Sequence, residues 1–328
     1  MRLALWDPVG QRCQECGTQM SRASHCRACG RTLCSECCPL RLRVWWSASS
    51  AAVKSCCGSR CIQRLQEEPG AHEDASERLS DSQLRRLATE VPRCSSREAL
   101  WPLLRLGVPC VMRPAVYSEL LGCYMEKKPP AARQLQQEEL HMLEADLQRS
   151  VEEEQTRAQV RAILETALGQ RRDLSYQQGF CFIALAFRSL VGDGDLAAAC
   201  LRMMCCNACY GLSSPGQWVD RFERILEQQL PQLFRHFGAH QVDTNLYVTT
   251  WFKTAFAEFL VGDPILGRIW DLYVCYGLDF LYRVSLALLR RHRKELLKLR
   301  STQLLLALVR LPERAKGTDP DTFIKELL

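Results

Sequence analysis

Paired cysteines near the N-terminus are the residues of this sequence whose types and spacing predict chemistry most directly. Ten of the 19 cysteines lie between residues 13 and 61. Each close pair can direct two thiolates from a tight turn to one ion at about 2.3 Å, so four pairs can build two tetrahedral zinc sites. The pairs are Cys13/Cys16, Cys26/Cys29, Cys34/Cys37 and either Cys56 or Cys57 with Cys61.

The order of these pairs predicts how they share the two ions. Only four residues separate the second pair from the third. This favours interleaved sites, in which the first and third pairs hold one ion and the second and fourth pairs hold the other. Because so short a segment cannot build a large apolar core, metal binding would supply much of its folding free energy. A RING domain would need a cysteine two residues before its histidine ligand, and Ala23 stands there before His25.

The stretch SHCRACGRTLCSECC, residues 24–38, resembles the FYVE zinc finger. Members of that family commonly bind phosphatidylinositol 3-phosphate on endosomal membranes. The resemblance implies that Arg22, His25 and Arg27 lie in the lipid-contacting basic motif, although that motif has fewer basic residues here. A zinc-stapled protein-interaction or scaffold module accounts for the same cysteines, and both functions stay open.

Composition and charge restrict the broad class of the protein. The chain of 328 residues is 47% hydrophobic and 24% charged, as expected of a globular protein, and its net charge of +6 is dispersed, which argues against a nucleic-acid partner. Arg188 interrupts the longest apolar run, and the opening MRLALWDPVG lacks the continuous apolar stretch of a signal peptide. We therefore expect a cytoplasmic protein, in which clustered cysteines bind metal rather than form disulfides.

The pattern of the chain predicts three segments and a mainly α fold class. Residues 1–65 form the zinc module, residues 66–97 form a polar linker with a short helix near residues 82–88, and residues 98–328 form an all-helical domain. Two amphipathic stripes support the helical domain, and Gly169 stands where the first helix would have its C-cap. The stripes are Val160, Ile163, Leu164 and Ala167, followed by Trp218, Phe222, Ile225 and Leu226.

The cysteines of the helical domain, including those of MMCCNACYG at 203–211, are expected to be small buried hydrophobic residues. A run of apolar residues from Phe180 predicts a buried central helix. The segment from 280 to 299 begins apolar on most faces and ends cationic, as does a buried helix that reaches solvent.

Four segments, in order within residues 98–311, resemble the TBC domain, an all-helical fold that activates Rab GTPases. LGVPCVMRPAVYSELLG resembles the opening signature of the family, with Tyr117 in place of its tryptophan. LEADLQR, YQQG and the pair WFKTAFA and RIWDLY resemble the next three, in that order. Any one of these matches is weak, and their common order carries the resemblance.

The resemblance implies that Arg149 and Gln178 reach together into a GTP-bound Rab protein. A guanidinium can neutralise charge on phosphoryl oxygens, and a neutral carboxamide can orient the attacking water. Asp146 lies three residues before Arg149, so on a helix its carboxylate can hold the guanidinium.

One departure from the family keeps a second function open. The segment SVEEEQ follows Arg149 and places three acidic residues beside the proposed phosphate site, where the family usually has a Thr-Phe-Pro-like turn. Acids beside a phosphate site would oppose the ligand, which favours a TBC-like adaptor that binds a GTPase or a trafficking complex without catalysis. Function in the zinc module alone, as a lipid reader or a ubiquitin-pathway adaptor, is the third hypothesis.

Overall fold

A computed structural model describes residues 12–20, 24–26, 31–42, 53–56, 61, 79–91, 97–123, 133–212 and 215–327. The chain divides into two compact units, Met1–Leu120 and Leu121–Leu328. Strands occur only in the first unit among the described residues, and helices make up most of both units after residue 80. The predicted mainly α fold class is confirmed. In the described part of the chain, no helix is both long enough and apolar enough to span a bilayer.

Two short antiparallel sheets occupy the cysteine-rich part of the first unit. Strand β1 (Ser24–His25) pairs with β2 (Thr32–Leu33), with Ser24 opposite Leu33. Strand β3 (Leu40–Leu42) pairs with β4 (Val53–Ser55), with Leu40 opposite Ser55. Strands of two or three residues are too short to show an alternating pattern, so the sequence gives no signal for them.

Helix α1 (Asp81–Glu90) lies inside the segment that the sequence assigns to a polar linker. Ser80 caps it, because the Gln83 N–H donates to Ser80 Oγ at 3.3 Å and the Ser80 N–H donates to Gln83 Oε1 at 2.8 Å. Leu84 and Leu87 are buried, and the helix packs against α2 (Trp101–Leu104). The short helix expected near residues 82–88 is therefore confirmed. A 3-10 turn (Arg97–Leu100) precedes α2, and α3 (Arg113–Leu121) follows it.

The second unit consists of helices joined by short connections, and no strand occurs among its described residues. Two 3-10 turns, Ala208–Tyr210 and Leu311–Ala315, interrupt the series. The helices in chain order are α4 (Gln137–Ser150), α5 (Glu154–Gly169), α6 (Phe180–Val191), α7 (Gly194–Cys206), α8 (Pro215–Gln229), α9 (Pro231–Ala239), α10 (Asn245–Lys253), α11 (Ala257–Leu260), α12 (Pro264–Tyr276), α13 (Leu278–Arg291), α14 (Arg293–Leu296), α15 (Ser301–Val309) and α16 (Pro320–Glu326).

Helix α6 is the central element of this unit, as the apolar run from Phe180 predicts. It packs against α4, α5, α7 and α11. Seven of its side chains are buried, and Phe187 makes an edge-to-face contact with Trp270 at a centroid distance of 4.9 Å. Because α6 is covered on so many sides, its N-terminus at Gly179 occupies a fixed position in the unit.

Helix α5 confirms one sequence prediction and corrects another. The four residues of its predicted stripe are buried. Gly169 is the last residue of the helix, and the C-cap is the next residue, Gln170, with a right-handed φ of −83°, so the predicted cap position is one residue too early. Glycine permits a positive φ but does not require one, and here the chain continues without a reversal of its hand.

The cysteine prediction for the helical region is only partly right. Cys181, Cys200, Cys205 and Cys275 are buried, as expected. Cys206 and Cys209 are exposed, which contradicts the expectation for the MMCCNACYG segment. Cys206 is the last residue of α7, and Cys209 lies in the 3-10 turn that follows, so neither residue is in the interior of the helix.

Candidate functional site

The carboxylate of Asp146 lies at the centre of the candidate site. Asp146 is on the inner face of α4 and is only 4% exposed. Its Oδ2 accepts hydrogen bonds from the Tyr176 hydroxyl at 2.7 Å, the Gly179 N–H at 2.7 Å and the Cys181 thiol at 3.3 Å. Its Oδ1 accepts a hydrogen bond from Arg149 Nη2 at 3.1 Å. One buried group therefore joins the end of α4 to the loop before α6.

Arg149 lies in the last turn of α4 with its side chain 62% exposed. Its Nε also donates to the Ala145 carbonyl at 3.2 Å. These two contacts fix the direction of the side chain, while Nη1 has no hydrogen-bond partner among the described residues. The guanidinium is thus oriented by the protein and still offers donors to another molecule.

Gln178 is exposed in the loop between α5 and α6. The residue after it, Gly179, caps α6 with a φ of +98° and gives its N–H to Asp146. The residue two before it, Tyr176, is buried and bonded to the same carboxylate. Asp146 therefore contacts Arg149 directly and also holds Tyr176 and Gly179, so the backbone at Gln178 is anchored to the carboxylate that binds Arg149.

The protonation states of the site follow from its contacts. Burial disfavours the charge of Asp146, but hydrogen bonds from Gly179 and Tyr176, with the nearby positive charge of Arg149, lower its pKa. Burial raises the pKa of Tyr176 far above its usual range and that of Cys181 to about 12. At neutral pH the centre is therefore a carboxylate that accepts from protonated donors.

The segments WFKTAFA and RIWDLY contact each other, and Thr254 of the first segment lies next to Gly179 of the loop. Trp270 Nε1 donates to the Ala255 carbonyl at 3.0 Å, which joins the two segments. Ala255 and Phe256 both have positive φ values, of 47° and 64°. A Cβ atom on Gly179 would lie 2.9 Å from Thr254 Cγ2, so a larger residue would force the Thr254 side chain to shift and would also have to adopt a φ of +98°.

The three acids that follow Arg149 are exposed. Val151 is buried and accepts two hydrogen bonds from Arg157 at its carbonyl, which fixes the turn between α4 and α5. Glu153 accepts a hydrogen bond from the Thr156 hydroxyl at 2.5 Å. The exposed acidic residues are Glu152, Glu153 and Glu154.

Sequence reasoning missed an ion pair beneath the loop. Arg133 donates to Glu139 through both of its terminal nitrogens, at 2.7 and 2.8 Å. Glu139 is buried at the start of α4, and the hydrogen bonds from Arg133 are the main reason that its pKa falls to about 2. The available sequence signal was the Gln136-x-x-Glu139 spacing, which forms a capping box here but does not reveal the arginine.

Two groups of cysteines in the first unit have the geometry of metal centres. Cys13, Cys16, Cys34 and Cys37 form one group, and within each group all the sulfur atoms lie within 4.8 Å of one another. The Cys16 and Cys34 sulfurs are 3.8 Å apart, and ligands at about 2.3 Å in a tetrahedron would be separated by about that distance. The second group contains Cys26, Cys56 and Cys61.

This grouping follows the interleaved order that the spacing predicts. Cys56 joins the second group, while Cys29 and Cys57, the remaining predicted ligands, lie outside the described residues. Arg22 and Arg27 also lie outside them, and only the backbone of His25 is described, in β1. The lipid-contacting motif implied by the FYVE resemblance therefore stays a prediction.

The donor set of the first group fits a metal cation. Burial acts to raise the pKa of Cys13, but backbone hydrogen bonds from Cys16 and Cys34 outweigh it and lower the pKa to about 6. Burial and the neighbouring sulfurs of Cys16 and Cys34 instead raise the pKa of Cys37 in the same group. A bound cation would favour the thiolate form of all four residues, which is the form that binds zinc. Four sulfur donors around one point therefore suit a structural ion with no open position.

The Rab-GTPase-TBC domain family matches residues 94–297, which is more than half of the chain. The chain belongs to this family.

Relatives within the TBC group are distant in sequence and considerably longer. Mouse TBC1 domain family member 2A is 28% identical over 255 residues, which cover 71% of this chain and 27% of the relative. Xenopus tropicalis TBC1 domain family member 12 is 32% identical over 148 residues, which cover 44% of this chain and 22% of the relative. The chain thus spans about a quarter of the length of the curated relatives it matches.

Solved TBC structures share the fold. The crystal structure of the Chlamydomonas flagellar RabGAP TBC domain has a TM-score of 0.57 at 18% identity, covering 71% of this chain and 84% of that one. The Ypt/Rab-GAP domain of Gyp1p has a TM-score of 0.55 at 16% identity, covering 71% and 91%. At these identities the likeness establishes the fold alone.

Proposed function

We propose that this protein is a GTPase activator for a Rab protein in its GTP state, and that Arg149 and Gln178 act together in trans. It accelerates hydrolysis by its partner and turns over no substrate of its own. The observation that carries this proposal is the shared carboxylate of Asp146, which is bonded both to the exposed arginine and to the backbone amide next to the exposed glutamine.

The two side chains divide the chemistry of GTP hydrolysis between them. The guanidinium of Arg149 forks onto the oxygens of the transferring phosphoryl group and offsets the charge that builds there, a contribution of roughly 10³–10⁵ in rate when an arginine is supplied in trans. The carboxamide of Gln178 accepts from and donates to the attacking water without changing its own protonation state. Asp146 contacts neither the nucleotide nor the attacking water, and it acts by orienting Arg149 and the loop that carries Gln178.

The test is a single-turnover GTP hydrolysis screen over a broad panel of Rab proteins. Arg149→Ala is expected to lower the stimulated rate by about 10³-fold or more, and Gln178→Ala by about 10²-fold or more. Arg161→Ala and Gln148→Ala are matched controls, since Arg161 pairs with Glu144 on the surface and Gln148 is exposed next to Arg149. An unchanged rate for Arg149→Ala with the Rab that responds best would end the catalytic proposal.

A second candidate function, GTPase binding without catalysis, is favoured by the exposed acids at 152–154. Their charge opposes the approach of phosphate groups within a screening distance of about 8–10 Å. Binding that depends on GTP, with no acceleration for any Rab in the panel, would establish this adaptor function. Replacing all three glutamates with glutamine separates the cases, because the change would raise the stimulated rate of an activator and leave an adaptor inactive.

For the first unit we propose a FYVE-like module with two zinc ions, one for each cysteine group. When bound, zinc supplies no reaction chemistry and holds the short strands together. Elemental analysis of the purified chain is expected to give about two zinc ions, and Cys34→Ser is expected to remove one of them. A content of about one ion in the unaltered chain would contradict the two-site assignment.

The FYVE resemblance adds a membrane partner to this module. Lipid binding would place the protein peripherally on endosomal membranes that contain phosphatidylinositol 3-phosphate. Vesicle sedimentation with and without this lipid tests the proposal, with Arg27→Ala as the matched variant. Equal sedimentation with both vesicle types would instead favour a protein-interaction module.

A further inference from the structure

The loop that carries Gln178 is held by a second buried carboxylate besides Asp146. Glu139 lies seven residues before Asp146, and both acids are on the buried face of α4. Positions seven apart on a helix share one face and are separated by two turns, or about 10.5 Å. The two carboxylates therefore contact different parts of the same loop.

Glu139 and Arg133 act on the first half of the loop. Glu139 Oε1 accepts the Tyr176 N–H at 3.2 Å. Arg133 Nη2 donates to the Leu174 carbonyl at 2.8 Å, and Arg133 Nε donates to the Arg171 carbonyl at 3.2 Å. Asp146 accepts from the Tyr176 hydroxyl and the Gly179 N–H, so Tyr176 is held by Glu139 at its backbone and by Asp146 at its side chain.

Hydrogen bonds hold both the backbone and the side chain of Arg133. Its backbone N–H donates to the Gly169 carbonyl at the end of α5, at 2.7 Å. Its side chain is 17% exposed, and that of Glu139 is 10% exposed. A planar guanidinium can make the paired bonds to Glu139 and still reach two carbonyls, whereas a lysine ammonium is a single point of charge.

We propose that Arg133 and Glu139 form a positioning pair that sets the reach of Gln178 without touching the nucleotide or the partner. This inference rests on the proposed function, because it assigns to the pair the positioning of Gln178 in the proposed catalytic site. Arg149 has no hydrogen bond to either member of the pair among the described residues, since its contacts are to Asp146 on α4 and the Ala145 carbonyl. Weakening the hydrogen bonds of this pair should therefore impair the positioning of Gln178 and leave the positioning of Arg149 unchanged.

The test is a double-mutant cycle on the stimulated rate of GTP hydrolysis. Arg133→Lys keeps the charge beside Glu139, which limits the risk of misfolding, and removes the fork that reaches the loop. We expect it to lower the maximal stimulated rate about tenfold, with the KM for the GTP-bound Rab changed by less than about twofold. Arg161→Lys is the control, because Arg161 on α5 forms a half-exposed ion pair with Glu144 on α4, and it should leave the rate unchanged.

The genetic background distinguishes positioning from a general loss of structure. With Gln178→Ala already present, Arg133→Lys should cause no further loss; with Arg149→Ala present, it should still cause about a tenfold loss. If Arg133→Lys lowered the stimulated rate equally in the wild-type and Gln178→Ala backgrounds, the assignment of the pair to the positioning of Gln178 would be overturned. An Arg133→Lys rate equal to wild type would overturn it as well.

Amide hydrogen exchange tests the pair even if no Rab responds. Arg133→Lys should speed exchange of the Tyr176 amide about tenfold, because one charge-assisted network is weakened, and should change the Gly179 amide by less than about threefold. An unchanged Tyr176 amide would overturn the inference independently of catalysis. Absence of stimulation by the wild-type chain across the panel would instead refute the proposed function, while the exchange data would still decide the role of the pair.

Discussion

Replacing Asp146 with asparagine should release Arg149 while keeping the glutamine loop in place. The asparagine carbonyl can face either the loop or the arginine. If the amide NH₂ faced the loop, it would oppose the Gly179 N–H and leave buried donors unpaired, at about 1–3 kcal/mol each. Arg149 is 62% exposed and can turn to water instead. The carbonyl should therefore face the loop, and the NH₂ should repel the guanidinium.

The contacts of Asp146 give the size of the change in loop stability that Asp146→Asn should cause. Two bonds to Oδ2, from Gly179 N–H and Tyr176 O–H, change from charge-assisted to neutral, which costs about 1 kcal/mol each. The Arg149 pair contributes at most about 0.5 kcal/mol to stability because its guanidinium is largely in water. Local opening of the loop should thus become easier by about 2 kcal/mol, which corresponds to about 30-fold faster exchange of the Gly179 amide.

Amide exchange and GTP hydrolysis together test this reasoning. Glu144→Gln is the matched control, because Glu144 is on the same helix and pairs with Arg161 at the surface; its exchange effect should stay below about threefold. The stimulated hydrolysis rate should fall about tenfold for Asp146→Asn and remain unchanged for the control. Equal exchange of the Gly179 amide in the two variants would refute the central role of the buried carboxylate.

Three further predictions concern the loop glycine, acid pH and metal. Gly179→Ala should destabilise the helical unit by about 2–3 kcal/mol in urea unfolding, because a φ of +98° costs about 1–2 kcal/mol and the Cβ would meet Thr254 Cγ2 at 2.9 Å. Gly192→Ala is its control, since φ is +68° there and nothing lies within 4 Å of the added Cβ; equal losses would disprove the clash. Glu139 has a folded pKa of about 2 against an ordinary 4.5, so its stabilisation is complete above pH 4.5 and is lost as the pH falls towards 2. We expect a loss of about 3 kcal/mol over this range, and Glu139→Gln should flatten the curve; the same slope in both chains would contradict this account. A zinc chelator should abolish the NMR signals of the β1–β4 backbone and leave the far-UV helical signal nearly unchanged, whereas intact strand signals in metal-free protein would show that no ion holds them.

Local spacing was sufficient to predict several features of the fold and of the site. Cysteines two residues apart predict shared ligation, and the apolar run from Phe180 predicts a buried helix, because both depend on geometry within a few residues. The same holds for Asp146 and Arg149, which are in contact because positions three apart adjoin on any helix. The arginine and the glutamine were named from a resemblance to a family, not from periodicity.

Other features depended on where separate segments meet. The positive φ of Ala255, the tight fit of Gly179 against Thr254 and the exposure of Cys206 follow from helix ends that periodicity places only approximately. The predicted C-cap at Gly169 was wrong because the presence of a glycine does not fix where a helix ends. Glycine allows a left-handed turn without requiring one.

The sequence by itself determined the residue types of the site and their neighbours along each helix. Only the tertiary structure decided that Glu139 and Asp146 hold one loop more than thirty residues away, as the Glu139–Tyr176 and Asp146–Gly179 hydrogen bonds show. The physical reason is that helix periodicity relates side chains a few turns apart, whereas a contact between distant segments is selected by the packing of the whole core around α6.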